Sequence, residues 1–284
     1  MDKNIDNKFT VLLPIYQRKD LYLNFSKAVQ SIYQNTMAPS DLIVLIDGKL
    51  DSIFFNRIKL EQKKYNFKII KSKKVGLASI LNKGIKKVKT KWIARMDGDD
   101  LCEKDRFKNS TKFMNLNYDL FGGQIKESES KSNTFFIKEV PCNSKEIIKM
   151  IKYRNPFNHM TVFYKTEFAK KIGGYPDLYL KEDYAFWCKF IYYGARVANM
   201  KKIVVRVKTD GMYDRRRGVE YIISEIKLQK ILLECNLTNI YRSFFICTVR
   251  IIIHLLPKKL KKFFYIFFLR KKYDHREWSN SKVF

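Results

Sequence analysis

Trp92-Ile93-Ala94-Arg95-Met96-Asp97-Gly98-Asp99-Asp100 is the stretch that decides how the rest of this chain reads. An apolar run suited to a buried strand breaks off into carboxylates around a single glycine. Acidic groups then stand at the C-terminal end of a strand, where open α/β sheets bind their ligands. The cluster is out of keeping with its surroundings, because Lys+Arg number 57 and Asp+Glu 28, a formal net charge of +29. It calls for a cation, and the basic chain around it suggests phosphates.

Upstream, strands and helices alternate. Phe9-Thr10-Val11-Leu12-Leu13 is a short continuous apolar run stopped by Pro14, the pattern of a buried parallel strand. Leu21, Phe25, Ala28, Val29 and Ile32 recur at helical spacing, with Asp20 placed to cap. Leu42-Ile43-Val44-Leu45-Ile46 forms a second strand ended by Asp47-Gly48, and Phe67-Lys68-Ile69-Ile70 a third. Leu77, Ile80, Leu81, Gly84, Ile85 and Val88 make an amphipathic helix leading into Trp92. This order predicts a parallel sheet with helices on both faces, the acidic cluster ending its fourth strand. Neither G-x-G-x-x-G nor G-x-x-x-x-G-K-[ST] occurs, so phosphate here must be held by metal and side chains.

Downstream the pattern loosens. Asp105 to Asn117 reads as a helix, Leu120-Phe121-Gly122-Gly123 as a strand and turn, and Ser128 to Asn133 as a polar loop. Ser144 is placed to cap a helix from Lys145 to Tyr153, and Met160 to Tyr164 reads as a strand. A glycine-proline turn, Ile172-Gly173-Gly174-Tyr175-Pro176-Asp177, precedes a second acidic group, Glu182-Asp183-Tyr184, and a helical aromatic run from Ala185 to Tyr193. From about residue 219 the composition shifts. Val219, Ile222, Ile223 and Ile226 mark a helix, and the apolar segments Phe244 to Leu256 and Phe263 to Leu269 are flanked by Arg242, Arg250, Lys258-Lys259-Leu260-Lys261-Lys262 and Arg270-Lys271-Lys272. Neither segment reaches the ~20 residues that span a bilayer. Their aromatic and cationic mix suits the headgroup boundary of an anionic leaflet. The alternative is a helical pair packed on the catalytic domain with a solvated basic face.

A chain of 284 residues with 46% hydrophobic and 15% aromatic residues builds a sizeable core and is not disordered. The five cysteines, Cys102, Cys142, Cys188, Cys235 and Cys247, are widely spaced and form no C-x-x-C, which fits reduced thiols on the cytoplasmic side. The N-terminus carries charge and no apolar run, so no secretory signal is expected.

The carboxylates of Asp97, Asp99 and Asp100 offer the hard oxygens that suit Mg²⁺ or Mn²⁺. Taken with Asp47, Pro14-Ile15-Tyr16 and Glu182-Asp183, they form an ordered set that resembles family 2 glycosyltransferases of the inverting, nucleotide-sugar-dependent GT-A kind. The resemblance covers roughly residues 8 to 220. Val11 to Tyr16 is similar to the family's opening strand, Leu45-Ile46-Asp47-Gly48 to its base-reading aspartate turn, and Gly76-Leu77 through Asn82-Lys83-Gly84 to its G-L-x-x-x-x-N-x-G helix. Met96 to Asp100 looks like its D-x-D, and Gly173-Gly174-Tyr175 followed by Glu182-Asp183-Tyr184 and Trp187 like its acceptor-side motif. Asn155 to Thr161 and Met212 to Gly218 are nearest to the amylovoran-type exopolysaccharide and O-antigen branch. The Q-x-x-R-W of processive synthases is missing, which favours addition of one sugar at a time.

The resemblance implies a Rossmann-like GT-A domain, a mostly parallel sheet flanked by helices, over residues 1–218, its nucleotide-sugar half about 1–105 and its acceptor half about 106–218. A helical, basic, membrane-associating region would follow over 219–284. It implies that Asp99 ligates Mn²⁺ or Mg²⁺ with Asp97, that Asp97 also contacts the sugar nucleotide, and that Asp183 is the general base. Pro14, Tyr16 and Asp47 would form the base pocket, Arg215 and Arg216 would clamp the diphosphate, and Glu182, Trp187 and His159 would stand on the acceptor side. The donor would be a UDP-sugar and the acceptor a polyprenyl-diphosphate-linked saccharide, at the cytoplasmic face of the plasma membrane. Several positions have plainer readings. Asp100 either touches the metal or caps a helix starting near Glu103, Tyr16 stacks on a base or packs, His159 is a site or a hydrogen-bonded structural histidine, and Trp187 is divided between core and sugar platform. Two other functions compete with this one. A nucleic-acid-binding protein accounts for the charge but leaves Asp47, Asp97, Asp99 and Asp183 without purpose and opposed to a phosphate backbone, so no nucleic-acid partner is expected. An inactive membrane-bound scaffold of the same fold is the other.

Overall fold

The computed structural model describes residues 7–128, 135–208, 218–256 and 271–273. Strands β1 (Phe9–Ile15), β2 (Asp41–Asp47), β3 (Lys68–Ser72) and β4 (Trp92–Arg95) alternate with helices α1 (Lys19–Tyr33), α2 (Ser52–Tyr65) and α3 (Leu77–Lys87). The four strands are parallel in the spatial order β3-β2-β1-β4, so β1 lies between the strand that ends at Asp47 and the one that leads into Asp97. Side chains of β1 alternate across the sheet, as the pleat requires. Leu12 joins one core with α3 residues Ile80, Leu81 and Ile85, while Val11 and Leu13 join another with α1 residues Phe25, Val29 and Ile32.

β1 runs one residue past Pro14, which is buried within it. The Leu12 carbonyl accepts from Met96 N–H, so its polar edge faces β4, and Pro14, two residues on, faces the same way beyond the last β1–β4 pair, Leu12 with Arg95. No ladder bond is lost there to the missing N–H. Asp20 is not the cap of α1. Arg18 takes that position, and Asp20 sits inside the first turn, pairing with Arg18 and accepting from Leu21 N–H at 3.1 Å.

Beyond β4 the sheet is mixed. β5 (Leu101–Cys102) precedes α4 (Arg106–Asn115), after which come β6 (Leu120–Ser128), β7 (Phe135–Lys138), α5 (Ser144–Ile151), a 3₁₀ turn at His159–Thr161, β8 (Phe163–Lys165), α6 (Thr166–Lys171), α7 (Glu182–Tyr192) and β9 (Val197–Lys208). β8 is antiparallel to β4 and β6, and β6 is parallel to β9. The expected turn at Gly122-Gly123 is strand instead. A Cβ at Gly122 would lie 2.7 Å from Asn199 Oδ1 and one at Gly123 2.7 Å from Val204 Cγ2, so glycine lets β6 run close to β9, with a register shift at Gly123/Gln124. Asn143, not Ser144, caps α5, its side chain accepting from Glu146 N–H at 2.9 Å. The expected strand from Met160 is shortened by the 3₁₀ turn.

Helices α8 (Val219–Glu234) and α9 (Ile240–Leu255) close the described chain, with a short β10 (Lys271–Tyr273) antiparallel to β7. Leu228, Leu232, Cys235 and Leu237 share the core that holds Trp187 and Phe190. α8 therefore packs on the core of the preceding α/β part. No described helix is long and apolar enough to cross a membrane. Lys258 to Lys262, Phe263 to Leu269 and Arg270 lie outside the described residues.

Candidate active site

β4 delivers its last side chain, Arg95, into the interior, and the chain turns at once through Asp97-Gly98-Asp99-Asp100. The turn needs glycine, since a Cβ at Gly98 would lie 2.6 Å from Ile15 Cγ2 at the end of β1. This contact presses the acidic loop onto the C-terminal edge of the parallel strands. Asp97 and Asp99 keep 29% and 17% of their side-chain surface exposed, whereas Asp100 is buried.

Each exposed carboxylate has an arginine. Arg95 Nη2 lies 2.6 Å from Asp97 Oδ1, and Arg18 pairs with Asp99. Arg18 also donates to the Tyr16 hydroxyl at 2.8 Å, which links the loop after β1 to the loop after β4. Burial, then the neighbouring Asp97, pushes the Asp99 carboxyl up to about 6 against the pull of Arg18. Asp100 is raised well above the ordinary carboxylate range by burial and by Asp97 and Asp99. Its Oδ2 finds no partner among the described residues, and neither do Nε and Nη1 of Arg95 nor Nε of the buried Arg106. Asp100 caps no helix: α4 begins at Arg106, capped in position by Asp105. It is a buried carboxyl close to two buried arginines, Arg95 and Arg106.

Asp47 ends β2 beside this edge, but both of its oxygens already accept backbone amides, Val75 N–H at 2.7 Å and Gly76 N–H at 3.1 Å. It holds the turn into α3. Tyr16 is 38% exposed at the rim, with the Arg18 guanidinium over its ring 5.2 Å from the centroid.

The second acidic group sits in the first turn of α7. Asp183 accepts from Tyr184 N–H at 2.7 Å on Oδ1 and from Asn155 Nδ2 at 2.7 Å on Oδ2. Burial raises its proton affinity, opposed by the Tyr184 amide, Lys138, Arg95 and Asn155. Glu182 is buried, and burial together with Asp183 pushes it up to about 8. Arg95 acts on both of these carboxyls as well as pairing with Asp97, so one buried cation serves both acidic groups.

Two acceptor-side expectations change. Trp187 is fully buried, packed against Phe157, Tyr175 and Phe186 with no face open to a sugar, because α7 turns this side of its aromatic run into the core. His159 is bonded through Nε2 to the Tyr175 hydroxyl at 3.0 Å. Burial and Arg95 hold it well below the usual histidine range, so it stays neutral and offers no cation to phosphate. Arg215 and Arg216 lie outside the described residues. Sequence reasoning missed Arg18, Arg95 and Asn155. The signal for Arg95 was present, a lone cation inside an otherwise apolar strand.

Among the described residues no three His, Cys, Asp or Glu side chains converge as a self-contained metal cage. Two partly exposed aspartates, Asp97 and Asp99, next to the orphaned buried Asp100 Oδ2 offer the hard carboxylate oxygens that suit a divalent ion such as Mn²⁺ or Mg²⁺.

Residues 10–173 match the model described as Glycosyl transferase family 2. The chain is 35% identical over 264 residues, 91% of its length and 95% of the relative's, to the Escherichia coli UDP-Gal:alpha-D-GlcNAc-diphosphoundecaprenol beta-1,3-galactosyltransferase. It is 27% identical over 261 residues, 90% of this chain and 97% of the relative, to the amylovoran biosynthesis glycosyltransferase AmsE of Erwinia amylovora. Among solved structures, S. aureus TarS superposes with a TM-score of 0.62 at 16% identity, covering 98% of this chain and 46% of that one. The mannosyltransferase PcManGT of Pyrobaculum calidifontis, solved with GDP-Man and Mn²⁺, gives 0.57 at 15% identity over 84% of this chain and 68% of its own. At those identities the likeness is one of fold.

Proposed function

We propose that this chain, which belongs to glycosyl transferase family 2, moves a single hexose or N-acetylhexosamine from a UDP-sugar to a saccharide carried on a polyprenyl diphosphate, with inversion, during assembly of a bacterial surface polysaccharide. The observation that carries the reading is the grouping around Arg95: a partly exposed pair, Asp97 and Asp99, suited to a diphosphate-bound cation, and a separate carboxylate, Asp183, held by Asn155. The names of the E. coli and Erwinia relatives, a galactosyltransferase using a diphosphoundecaprenol-linked acceptor and an amylovoran biosynthesis enzyme, support the donor and acceptor classes.

In this reading Tyr16 stacks on the base and Asp47 shapes its pocket by holding the turn before α3. Pro14 shapes the strand beneath. Asp97 and Asp99 would hold Mn²⁺ or Mg²⁺, which when bound supplies positive charge to the leaving diphosphate. Asp183 accepts the proton of the acceptor hydroxyl as its oxygen forms a bond to the anomeric carbon and the bond from that carbon to the UDP oxygen breaks. A single displacement inverts configuration. The hydrogen bonds from Asn155 and the Tyr184 amide leave each Asp183 oxygen a further lone pair, and burial makes the carboxylate a stronger base. Arg215 and Arg216 add charge for the diphosphate, Glu182 lies beneath the base, and His159 holds the acceptor-side wall through Tyr175. The transferase occupies 1–218, and the membrane-proximal function falls within 219–284, starting from α9. This face would rest on the anionic cytoplasmic leaflet, where lipid-linked acceptors lie.

The test is a panel of nucleotide sugars scored for UDP release with Mn²⁺ or Mg²⁺, with and without synthetic lipid-diphosphate saccharides. Asp99→Ala and Asp183→Ala should each abolish transfer while melting like the wild type. Full activity in either variant overturns the assignment.

A further inference from the structure

The loop that delivers α7 is held in place from outside the transferase half. Leu180, immediately before the N-cap Lys181, adopts a left-handed backbone with φ of 55°, a conformation a branched side chain keeps only where its surroundings impose it. Lys181 is buried, and its Nζ lies 2.6 Å from Glu225 Oε2 on α8. The same ammonium sits 4.5 Å from the Tyr221 ring centroid.

Glu225 has 2% of its side chain exposed, and its other hydrogen-bond partners among the described residues come from the C-terminal helices. Arg250 Nη1 on α9 donates to Oε1 at 2.6 Å, and Gln229 Nε2 donates to the same oxygen at 2.8 Å. Ser243 on α9 then donates to Gln229 Oε1 at 3.1 Å. Arg250 reaches back to the acceptor side as well, donating to the Tyr153 carbonyl and lying 5.7 Å from the Tyr184 ring. Two cations from two different elements therefore share one buried carboxylate, and both of them border the first turn that presents Asp183.

A buried ion pair is weak evidence of added stability, because desolvation of the charges offsets their attraction. Its geometric consequence is firmer, since short charge-assisted bonds fix the position of what they join. No step of the transfer reaction passes through this network.

We propose that Glu225 is a positioning residue for the transfer reaction: through Lys181 it ties the first turn of α7, and so Asp183, to the α8–α9 pair. This rests on the reading of Asp183 as the base. The substitution that tests it with least risk to folding is Lys181→Met, because Glu225 keeps Arg250 and Gln229 as partners. Glu225→Gln is the second variant, and Lys230→Met, which removes only the exposed pair with Glu234 on the same helix, is the control.

Hydrogen exchange is followed on peptides spanning residues 181–190, where Ala185 N–H bonds the Lys181 carbonyl as the first helical bond. Exchange there should quicken about tenfold in Lys181→Met and Glu225→Gln. For UDP-sugar turnover, kcat should fall about tenfold with KM for the donor within about twofold of wild type, the split expected when a base is misplaced and donor binding is kept. The Lys181→Met/Glu225→Gln double variant should be no slower than the worse single one. Exchange and kcat indistinguishable from the Lys230→Met control overturn the proposal, and so does faster exchange with unchanged kcat. A wild-type chain that turns over no nucleotide sugar refutes the proposed function, and the exchange comparison still decides whether the tie exists.

Discussion

Asn82 on α3 holds both main-chain polar groups of Tyr175: its Oδ1 accepts from Tyr175 N–H at 2.8 Å and its Nδ2 donates to the Tyr175 carbonyl at 2.9 Å. α3 thereby grips the turn that leads to Asp183. The grip also explains Gly174, which has φ of +72° and whose Cβ, if it had one, would meet Asn82 Oδ1 at 2.2 Å. Gly174→Ala must therefore strain the backbone and break at least one of the two bonds. The expected loss of stability is about 3 kcal/mol, combining a left-handed penalty with one or two hydrogen bonds. Denaturant unfolding checks this, and a midpoint unchanged from wild type would contradict the clamp.

Much of this arrangement was legible in the sequence because it follows from periodicity. The continuous apolar runs at Phe9, Leu42 and Trp92, each short and stopped by proline or by aspartate and glycine, read as buried parallel strands, and their parallel pairing puts the carboxylates after the second and third on one edge. What was not legible depends on partners distant in the chain. Trp187 reads the same as a sugar platform or as core, and only the packing of Phe157, Tyr175 and Phe186 around it settles which. Asp100 reads the same as its two neighbours, yet burial against Arg95 and Arg106 separates it from them. The strand through Gly122 and Gly123 looked like a turn because the reason for those glycines, the close approach of β9, lies far downstream at Asn199 and Val204.

Arg95 should be intolerant of neutral replacement. It is buried and pairs with Asp97, and its removal leaves that carboxylate and Asp100 with less opposing charge. Breaking a buried pair on one side costs about 3–5 kcal/mol, so Arg95→Met should melt well below wild type. Arg95→Lys keeps the charge and loses the fork, and should recover most of the stability with a reduced rate. Thermal melts of both variants, read against turnover, distinguish charge from geometry.

Glu182 makes stability depend on pH in an unusual direction. Its folded-state carboxyl titrates near 8, pushed up by burial and by Asp183, whereas the unfolded group titrates near its ordinary 4.5. Between those values the folded chain holds a proton that the unfolded chain has released, so stability falls as pH rises through this window. Glu182→Gln removes the effect. Across the window from 4.5 to 8 the variant should gain on wild type by at least about 1 kcal/mol, since each tenfold difference in proton affinity between the two states contributes about 1.4 kcal/mol. Equal pH dependence in the two proteins would refute an uncharged Glu182.

Chelation should silence transfer, with Mn²⁺ or Mg²⁺ restoring it in the wild type and not in Asp99→Ala. UDP should raise the melting temperature only when the metal is present, because two aspartates paired with Arg18 and Arg95 hold phosphate poorly by themselves. Calorimetric titration of UDP with and without metal checks this independently of the acceptor. Metal-independent binding of equal strength would count against Asp97 and Asp99 as ligands.

The outer face of α9 tests the membrane reading. Tyr241, Phe244 and Phe245 are 85%, 75% and 67% exposed, and Ile252 and Ile253 continue the apolar surface further along the helix. Single exposed apolar side chains are ordinary, but a helical stretch of this kind beside Arg242 in a chain of net charge +29 combines the two forces that hold a peripheral helix to an anionic leaflet. Arg242 lies 5.5 Å from the Tyr153 ring and Arg250 donates to the Tyr153 carbonyl, two residues before Asn155, so a leaflet under α9 would lie alongside the acceptor side of the site. The full chain should sediment with vesicles containing phosphatidylglycerol and release with rising salt. Phe244→Glu/Phe245→Glu should weaken this partition by about tenfold or more, as two aromatic anchors are replaced by anions facing an anionic surface. An unchanged partition, or a wild-type chain that dimerises through this face instead, would show that α9 does not contact lipid.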